Sequence, residues 1–424
     1  MCPMNDAAAT AALKSRESTI GICGAGIGGL VLALRLAKLG FRPMLFEARS
    51  REAALSEGEF LTLAPNGMNG LRAVDCYEAV LREGLETNAI ELCNARGRRL
   101  ALADQTDDRA RFGARSVTVR RGTLTRILIE TCEANGIIPQ FDRRVSSVAS
   151  HVHSVSLRFS NAVDLSVDLL VAADGLRSLV RSQIFPEFPA PHFTGLIGTG
   201  GIVDADIPAT EGVMRMTFGE RAFFGYIKTA TKPVYWFNSF AADSADAVRG
   251  LDPHALAERI RTMHADDPFP NAEILQQVHR VERSYPIFDM PLLPFWSRER
   301  VVLLGDAAHA IGPHAGQGAS MAIEDALVLS SCLTETINHK DAFTRYEALR
   351  RPRIVRVMKL TRQNASRKRK STRLGVLLRD LLLPLLLPIG IRAGRKLFAY
   401  RADLEPWGSK GAEYAAGNNQ RDAA

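Results

Sequence analysis

Three short stretches carry residues able to bind or do chemistry, and each joins glycine to an acid. In residues 299–326, ERVVLLGDAAHAIGPHAGQGASMAIEDA, the apolar run 301–304 reads as a buried parallel strand. It stops at Gly305-Asp306, and the Asp306 carboxylate is an acceptor suited to sugar or ribityl hydroxyls. A loop with Pro313 and His314 follows. Then Gly316-Gln317-Gly318 opens a segment, starting at Ala319, whose apolar residues Met321, Ile323, Ala326 and Leu327 recur at helical spacing. A strand that ends in a glycine loop before a helix start aims free backbone N–H groups and the positive helix end at one volume.

The second stretch, residues 19–47, reads TIGICGAGIGGLVLALRLAKLGFRPMLFE. Residues 19–23 form a short strand pattern, and Gly24, Gly26 and Gly29 make G-x-G-x-x-G. Residues 30–39 are helical, Gly40 ends them, and a second strand closes on Glu47. Such glycines let the backbone approach a pyrophosphate, and the distal acid holds ribose hydroxyls. The plainer alternative is a glycine turn for close helix–strand packing. The unit alone does not separate FAD from NAD. The third stretch follows a buried strand pattern at 167–172: AADGLRSLVR, with Asp174-Gly175, Ser178 and Arg181. A cofactor corner and simple N-capping by Asp174 weigh equally here.

Basic and titratable residues stand beside these corners. Residues 117–135 begin as a strand and become a helix, with Arg120 and Arg121 at the junction. A helix N-terminus disfavours cations, which favours a ligand role for one of them. Arg49 and Arg51 read as solvated rather than phosphate-binding. His314 has the chemistry to move a proton near neutral pH, against a plainer reading as a loop histidine bonded to backbone.

The elements that must position these groups divide the chain. Residues 1–17 read as a loose tail without the apolar core of a signal peptide. Residues 18–183 form the first part of a nucleotide-binding domain, with a short excursion near 75–105. Prolines 186, 189 and 191 mark a boundary, and 184–285 alternate as a mainly antiparallel sheet suited to roof a substrate. Phe224, Tyr226 and Trp236 are its candidate substrate-lining residues, amid aromatics that are mostly core. Residues 286–360 return to the first domain, 361–407 form a C-terminal helical segment, and 408–424 read as a disordered polar tail. The fold class is α/β.

A chain of 424 residues, 46% hydrophobic and 24% charged, is long enough for two domains. The net charge of +8 is concentrated in Arg367-Lys368-Arg369-Lys370 and Arg373, and no nucleic-acid module accompanies it. The apolar residues 374–391 hold Arg379, Asp380 and two prolines, which argues against a membrane span. A weak membrane-surface contact through this basic and apolar segment is the lesser reading. Six scattered cysteines without metal spacing suit the cytoplasm.

Together, GAGIGG with Glu47, ADGLRSLVR and LLGDAAHAIGPHAGQGASMAIEDA resemble the FAD-dependent single-component (class A) flavoprotein monooxygenases of the p-hydroxybenzoate hydroxylase fold, over residues 18–355. The resemblance implies a Rossmann-like FAD domain with an inserted antiparallel sheet and C-terminal helices. It places Gly24, Gly26, Gly29 and Glu47 on the ADP part of FAD, and Asp174 at the FAD site. It puts Gly305 and Asp306 on the ribityl chain, and the loop from Pro313 to Gly318 along the ring. Arg121, in the R-x-x-L pattern ending at Leu124, is the implied cofactor arginine. The implied reaction uses NADH or NADPH and O2 to hydroxylate an aromatic or polyketide-like small molecule through a flavin C4a-hydroperoxide. Epoxidation, Baeyer–Villiger insertion and tetracycline-type antibiotic inactivation are alternatives, as are a non-catalytic FAD redox sensor and an NAD-dependent dehydrogenase. Two departures stand out: Ala48 occupies a position where many members have arginine, and Ser320 stands where many have asparagine.

Overall fold

The computed structural model describes residues 18–56, 58–336, 338–366, 380–382, 384 and 394–404. The expected tails at 1–17 and 408–424, and much of the expected segment 361–407, lie outside them.

A five-stranded sheet organises the chain, in the order Ser297–Arg298, Val301–Leu303, Leu169–Ala172, Thr19–Cys23 and Arg42–Phe46. The last four run parallel, and Ser297–Arg298 is antiparallel. Leu169–Ala172 and Val301–Leu303 are buried throughout, as expected of apolar strands covered on both faces. Neighbouring strands lie about 4.8 Å apart. Because the strands are parallel, their C-terminal ends meet one edge, and that edge carries Asp306, Asp174, Gly24 and Glu47. Ligands bind at this edge of open α/β sheets.

Helices Ile27–Lys38 and Gly318–Glu335 cover the sheet. Glycines set their close approach: a Cβ on Gly28 would lie 2.8 Å from Leu304 Cδ2 and 3.1 Å from Ala322 Cβ. Helix Pro65–Arg72 packs on Gly318–Glu335 in the same manner, since a Cβ on Gly67 would lie 2.4 Å from Ser320 Oγ. Ser320 therefore faces this helix contact.

The roof is a seven-stranded sheet ordered Ser284–Asp289, His192–Val203, Val234–Ala241, Phe223–Ile227, Val213–Phe218, Ala89–Asn94 and Arg99–Asp104. Its final two strands come from the excursion near 75–105, joined by parallel pairing of Val213 with Ala89. Helices Pro253–Met263 and Asn271–Gln276 cover one face through Leu256, Ile260 and Ile274. The opposite face packs on a three-stranded sheet of Phe60–Leu63, Ser116–Arg120 and Leu85–Thr87 through Phe60, whose ring centroid is 5.3 Å from Tyr235 and 6.1 Å from Phe237. Among the described residues no helix is long and apolar enough to cross a membrane, and no cluster of His, Cys, Asp or Glu could hold a metal.

Candidate cofactor site

The glycines of the first motif divide their work. Gly24 has φ +105°, and a Cβ there would lie 2.3 Å from the Ala173 carbonyl oxygen. A Cβ on Gly29 would come 2.0 Å from the Gly24 carbonyl oxygen. Both are required by chain packing. A Cβ on Gly26 would meet nothing within 4 Å, so this position opens on free space. Gly26 is also the N-cap of Ile27–Lys38, with neither a side-chain cap nor an acid in the first turn. The helix start therefore offers its N–H groups outward, as an anion site requires.

Glu47 is buried at the end of the neighbouring strand. Its Oε2 accepts from the Ala25 N–H at 2.9 Å, and its Oε1 accepts from Arg49 N–H at 3.0 Å and Arg49 Nε at 2.8 Å. Burial pushes this carboxyl up, but the Arg49 guanidinium and the backbone donors outweigh it and hold the acid below its ordinary value. Arg49 is thus an ion-pair partner of Glu47 and not a solvated side chain. Arg51 pairs elsewhere, with Glu133.

At the third strand end, Asp174 Oδ2 accepts from Val180 N–H at 3.1 Å, while Oδ1 is buried with no partner. The N-cap of Leu179–Ile184 is Ser178, whose Oγ accepts from Arg181 N–H at 2.9 Å. Burial pushes the Asp174 carboxyl up against these hydrogen bonds. Arg181 ties the corner to its neighbour by donating to the Ala307 carbonyl at 2.7 Å and the Leu176 carbonyl at 2.6 Å.

Asp306 has an exposed surface, yet protein crowds it closely enough that lost hydration pushes its carboxyl up. Those two properties coincide on the floor of a cleft. The charges of His309 and Arg121 oppose the shift, so Arg121 and Asp306 share that cleft. Arg121 begins Arg121–Ala134, its N–H donating to the Glu59 carbonyl at 3.1 Å. Downstream of Asp306, Pro313–Ala315 forms one helical turn carrying the half-buried His314, and Asn364 Nδ2 donates to the His314 carbonyl at 3.1 Å. Gly316 follows with φ +61°, and Cβ atoms on Gly316 or Gly318 would meet nothing within 4 Å. Gln317 caps Gly318–Glu335 without a side-chain bond to the helix, and the first turn, with Ala319, carries no acid.

A second group of residues lies behind these loops and was not anticipated. Asp325 accepts from the Gly305 N–H at 3.1 Å, from His309 Nε2 at 2.6 Å and from Arg350 Nε at 2.7 Å. Burial would raise its carboxyl, but His309 and Arg350 lower it to about 2. Glu324 accepts from Arg350 at 2.6 Å, from Arg353 at 2.6 and 2.7 Å and from Asn66 Nδ2 at 2.7 Å. Arg353 also donates to the Leu397 carbonyl at 2.8 Å, and its guanidinium lies 4.2 Å from the Tyr400 ring centroid. The sequence held one signal: between Met321 and Leu329 every residue but the acid pair is apolar, and such a pair cannot be fully solvated.

The structure turns the expected substrate aromatics away from this cleft. Phe224, Tyr226 and Trp236 belong to the core beneath Pro253–Met263. Successive strand residues point to opposite faces, so the cleft-side face carries Tyr235, Phe237, Ile202, Met216, Gly198 and Gly200 instead. Phe237 lies over Gly225, where a Cβ would come 2.4 Å from its ring.

The residues present fit a dinucleotide with a polar chain. Two uncapped helix starts, an orphaned Asp174 oxygen and a crowded Asp306 converge on one sheet edge. Comparison with known proteins agrees. The FAD binding domain family matches residues 17–361. The chain is 30% identical to the aurachin C monooxygenase/isomerase of Stigmatella aurantiaca, over 78% of this chain and 85% of that protein. It is 27% identical to the 6-hydroxynicotinate 3-monooxygenase of Bordetella bronchiseptica, over 81% of this chain and 91% of that protein. Klebsiella pneumoniae HpxO complexed with FAD and uric acid shares the fold with a TM-score of 0.80 at 22% identity, covering 90% of this chain and 96% of that one. A salicylate hydroxylase substrate complex aligns with a TM-score of 0.74 at 19% identity, covering 93% and 99%. The chain belongs to the FAD binding domain family of FAD-dependent monooxygenases, oxidoreductases that act on a small molecule with O2.

Proposed function

We propose that this enzyme hydroxylates a flat aromatic or polyketide-like molecule held between the cofactor edge of the parallel sheet and the open face of the roof, with NADH or NADPH as reductant. The observation that carries this reading is the four-cornered edge of the parallel sheet together with an apolar, aromatic roof face that packs on Phe60, which pairs with Arg120 on the strand leading to Arg121. Bound FAD supplies the electron transfer and the O2 activation.

The chain's own residues bind, orient and exclude water. Gly26 and the start of Ile27–Lys38 take the pyrophosphate, and Glu47, held by Arg49, takes the ribose. Asp306, Gly305, Arg121 and Asp174 serve the polar chain. The loop Pro313, Gly316, Gln317, Gly318 and Ala319 meets the ring with its uncapped helix start, where a preorganised dipole favours negative charge. His314, on the same loop, is the group assigned to proton transfer. Phe237, Ile202 and Met216 keep water from the reacting region. Residues 18–183, apart from the excursion near 75–105, and 286–360 form the cofactor domain, with 184–285 as the substrate domain.

A cytoplasmic setting is supported by the free cysteines Cys23, Cys76, Cys93, Cys132 and Cys332. A weak contact of the C-terminal segment with a membrane surface is supported by Leu381 and Leu382, 67% and 45% exposed beside the tethered Asp380.

The test is direct. The purified protein should be yellow, and anaerobic NADH or NADPH should bleach it faster when a suitable phenol is present. A colourless protein that cannot be reconstituted with FAD would sink the reading. A yellow protein that no reductant bleaches would make it a sensor.

A further inference from the structure

The buried ion cluster does more than hold the helices together. Glu324 is fully buried, and four N–H donors fill its carboxylate: two from Arg353, one from Arg350 and one from Asn66 Nδ2. Both arginines are permanently charged, so the carboxylate acts only as an acceptor. Asn66 must therefore turn its NH2 toward Glu324. The same NH2 reaches Gln317 at 3.0 Å, so Gln317 must present its carbonyl Oε1 to Asn66. One ionised carboxylate thereby fixes the polarity of two amides in series. The orientation has a visible consequence: Asn66 Oδ1 is left buried with no partner.

At the far end of the series is a donor. The Gln317 NH2 meets no acceptor among the described residues. Gln317 is itself buried, 2% exposed, so this donor sits in the protein interior and not in bulk water. Beside it stand the uncapped start of Gly318–Glu335 and the open space around Gly318.

We propose that Asn66 and Glu324 are positioning residues that hold the Gln317 amide as a hydrogen-bond donor toward the cofactor. A donor on the electron-rich edge of a ring favours its reduced, more negative state. The inference rests on the reading that the loop 313–318 lies against the ring.

The test uses the full chain, stripped of FAD and retitrated, with dissociation constant, visible spectrum and flavin midpoint potential as readouts beside thermal stability. Gln317→Leu should weaken FAD binding by about tenfold and lower the potential. Asn66→Ala leaves Gln317 in place but frees its amide, and it should shift spectrum and potential in the same direction. The double variant should be no worse than Gln317→Leu alone, because both changes remove one interaction. Glu324→Gln, which puts an NH2 where a carboxylate oxygen stood, should reproduce the spectral change. An Asn66→Ala protein that loses stability but keeps the wild-type spectrum and potential overturns the proposal, as do additive effects in the double variant. If Gln317→Leu alone leaves FAD affinity and potential unchanged, the loop reading itself fails.

Discussion

Asp325 and Asp306 lie a short distance apart behind and before the same loop, and their environments push them in opposite directions. Asp325 is buried and saturated: Gly305, His309 and Arg350 donate to it, and its carboxyl falls to about 2. Asp306 opens on the cleft, no other described residue donates a hydrogen bond to its carboxylate, and crowding pushes its carboxyl up. The contrast separates two kinds of acid. One is completed by the chain and holds the scaffold. The other is left unfinished by the chain, as the proposed contact with ligand hydroxyls requires. Trp236 and Phe237 repeat the contrast in apolar form, on the covered and open faces of one strand.

The largest effects should come from the completed side. Arg350→Ala leaves Glu324 and Asp325 as buried acids short of a counter-charge, and should lower unfolding free energy by about 3–5 kcal/mol in denaturant titration. Trp236→Ala should cost a similar amount, about 3–5 kcal/mol, by opening a core cavity. Phe237→Ala should leave stability closer to wild type and instead weaken substrate stimulation of NAD(P)H oxidation. Equal destabilisation by the two neighbours would erase the distinction between the faces.

Protonation gives a sharper version. Asp325 has its folded value lowered to about 2 from an ordinary 3.8, so its contribution is present above the unfolded value and is lost as pH falls toward about 2. It should amount to about 2 kcal/mol, seen as an acid limb of stability that Asp325→Asn removes. Asp306 carries the reverse sign. Its raised folded value means the charged form disfavours folding above the unfolded value, and the penalty fades as pH falls through the folded one. Asp306→Asn should therefore raise the melting temperature of the FAD-free protein at neutral pH while weakening FAD binding. A loss of stability in FAD-free Asp306→Asn would collapse the contrast. The smallest change is expected at His314→Gln, where FAD affinity stays near wild type and the pH dependence of turnover flattens. An unaltered pH profile would remove His314 from proton transfer.

The parts legible in the sequence share a property: their chemistry is local. Gly24, Glu47, Asp174 and Asp306 announce strand ends within a few residues, and the parallel sheet lines them up. The roof was legible as a sheet but not in its facing, because aromatics occupy both parities of FFGYI and VYWFNSF. Helices Pro253–Met263 and Asn271–Gln276, outside the strands themselves, decide which face is covered. Arg49 read as solvated, yet Arg49 reaches back to Glu47 two residues before it. The ion cluster was illegible for a different reason. Glu324, Arg350, Arg353 and Asn66 belong to three helices, and nothing local in any of them names the others.

Arg353 donates to the Leu397 carbonyl, and the Tyr400 ring covers both cluster arginines. During synthesis, then, the glycine corners emerge early, but the back wall of the ring loop stays unfinished until residue 400 has left the ribosome. Nascent chains should consequently retain FAD only once residue 400 has emerged, and the cofactor's arrival would report that this wall has closed.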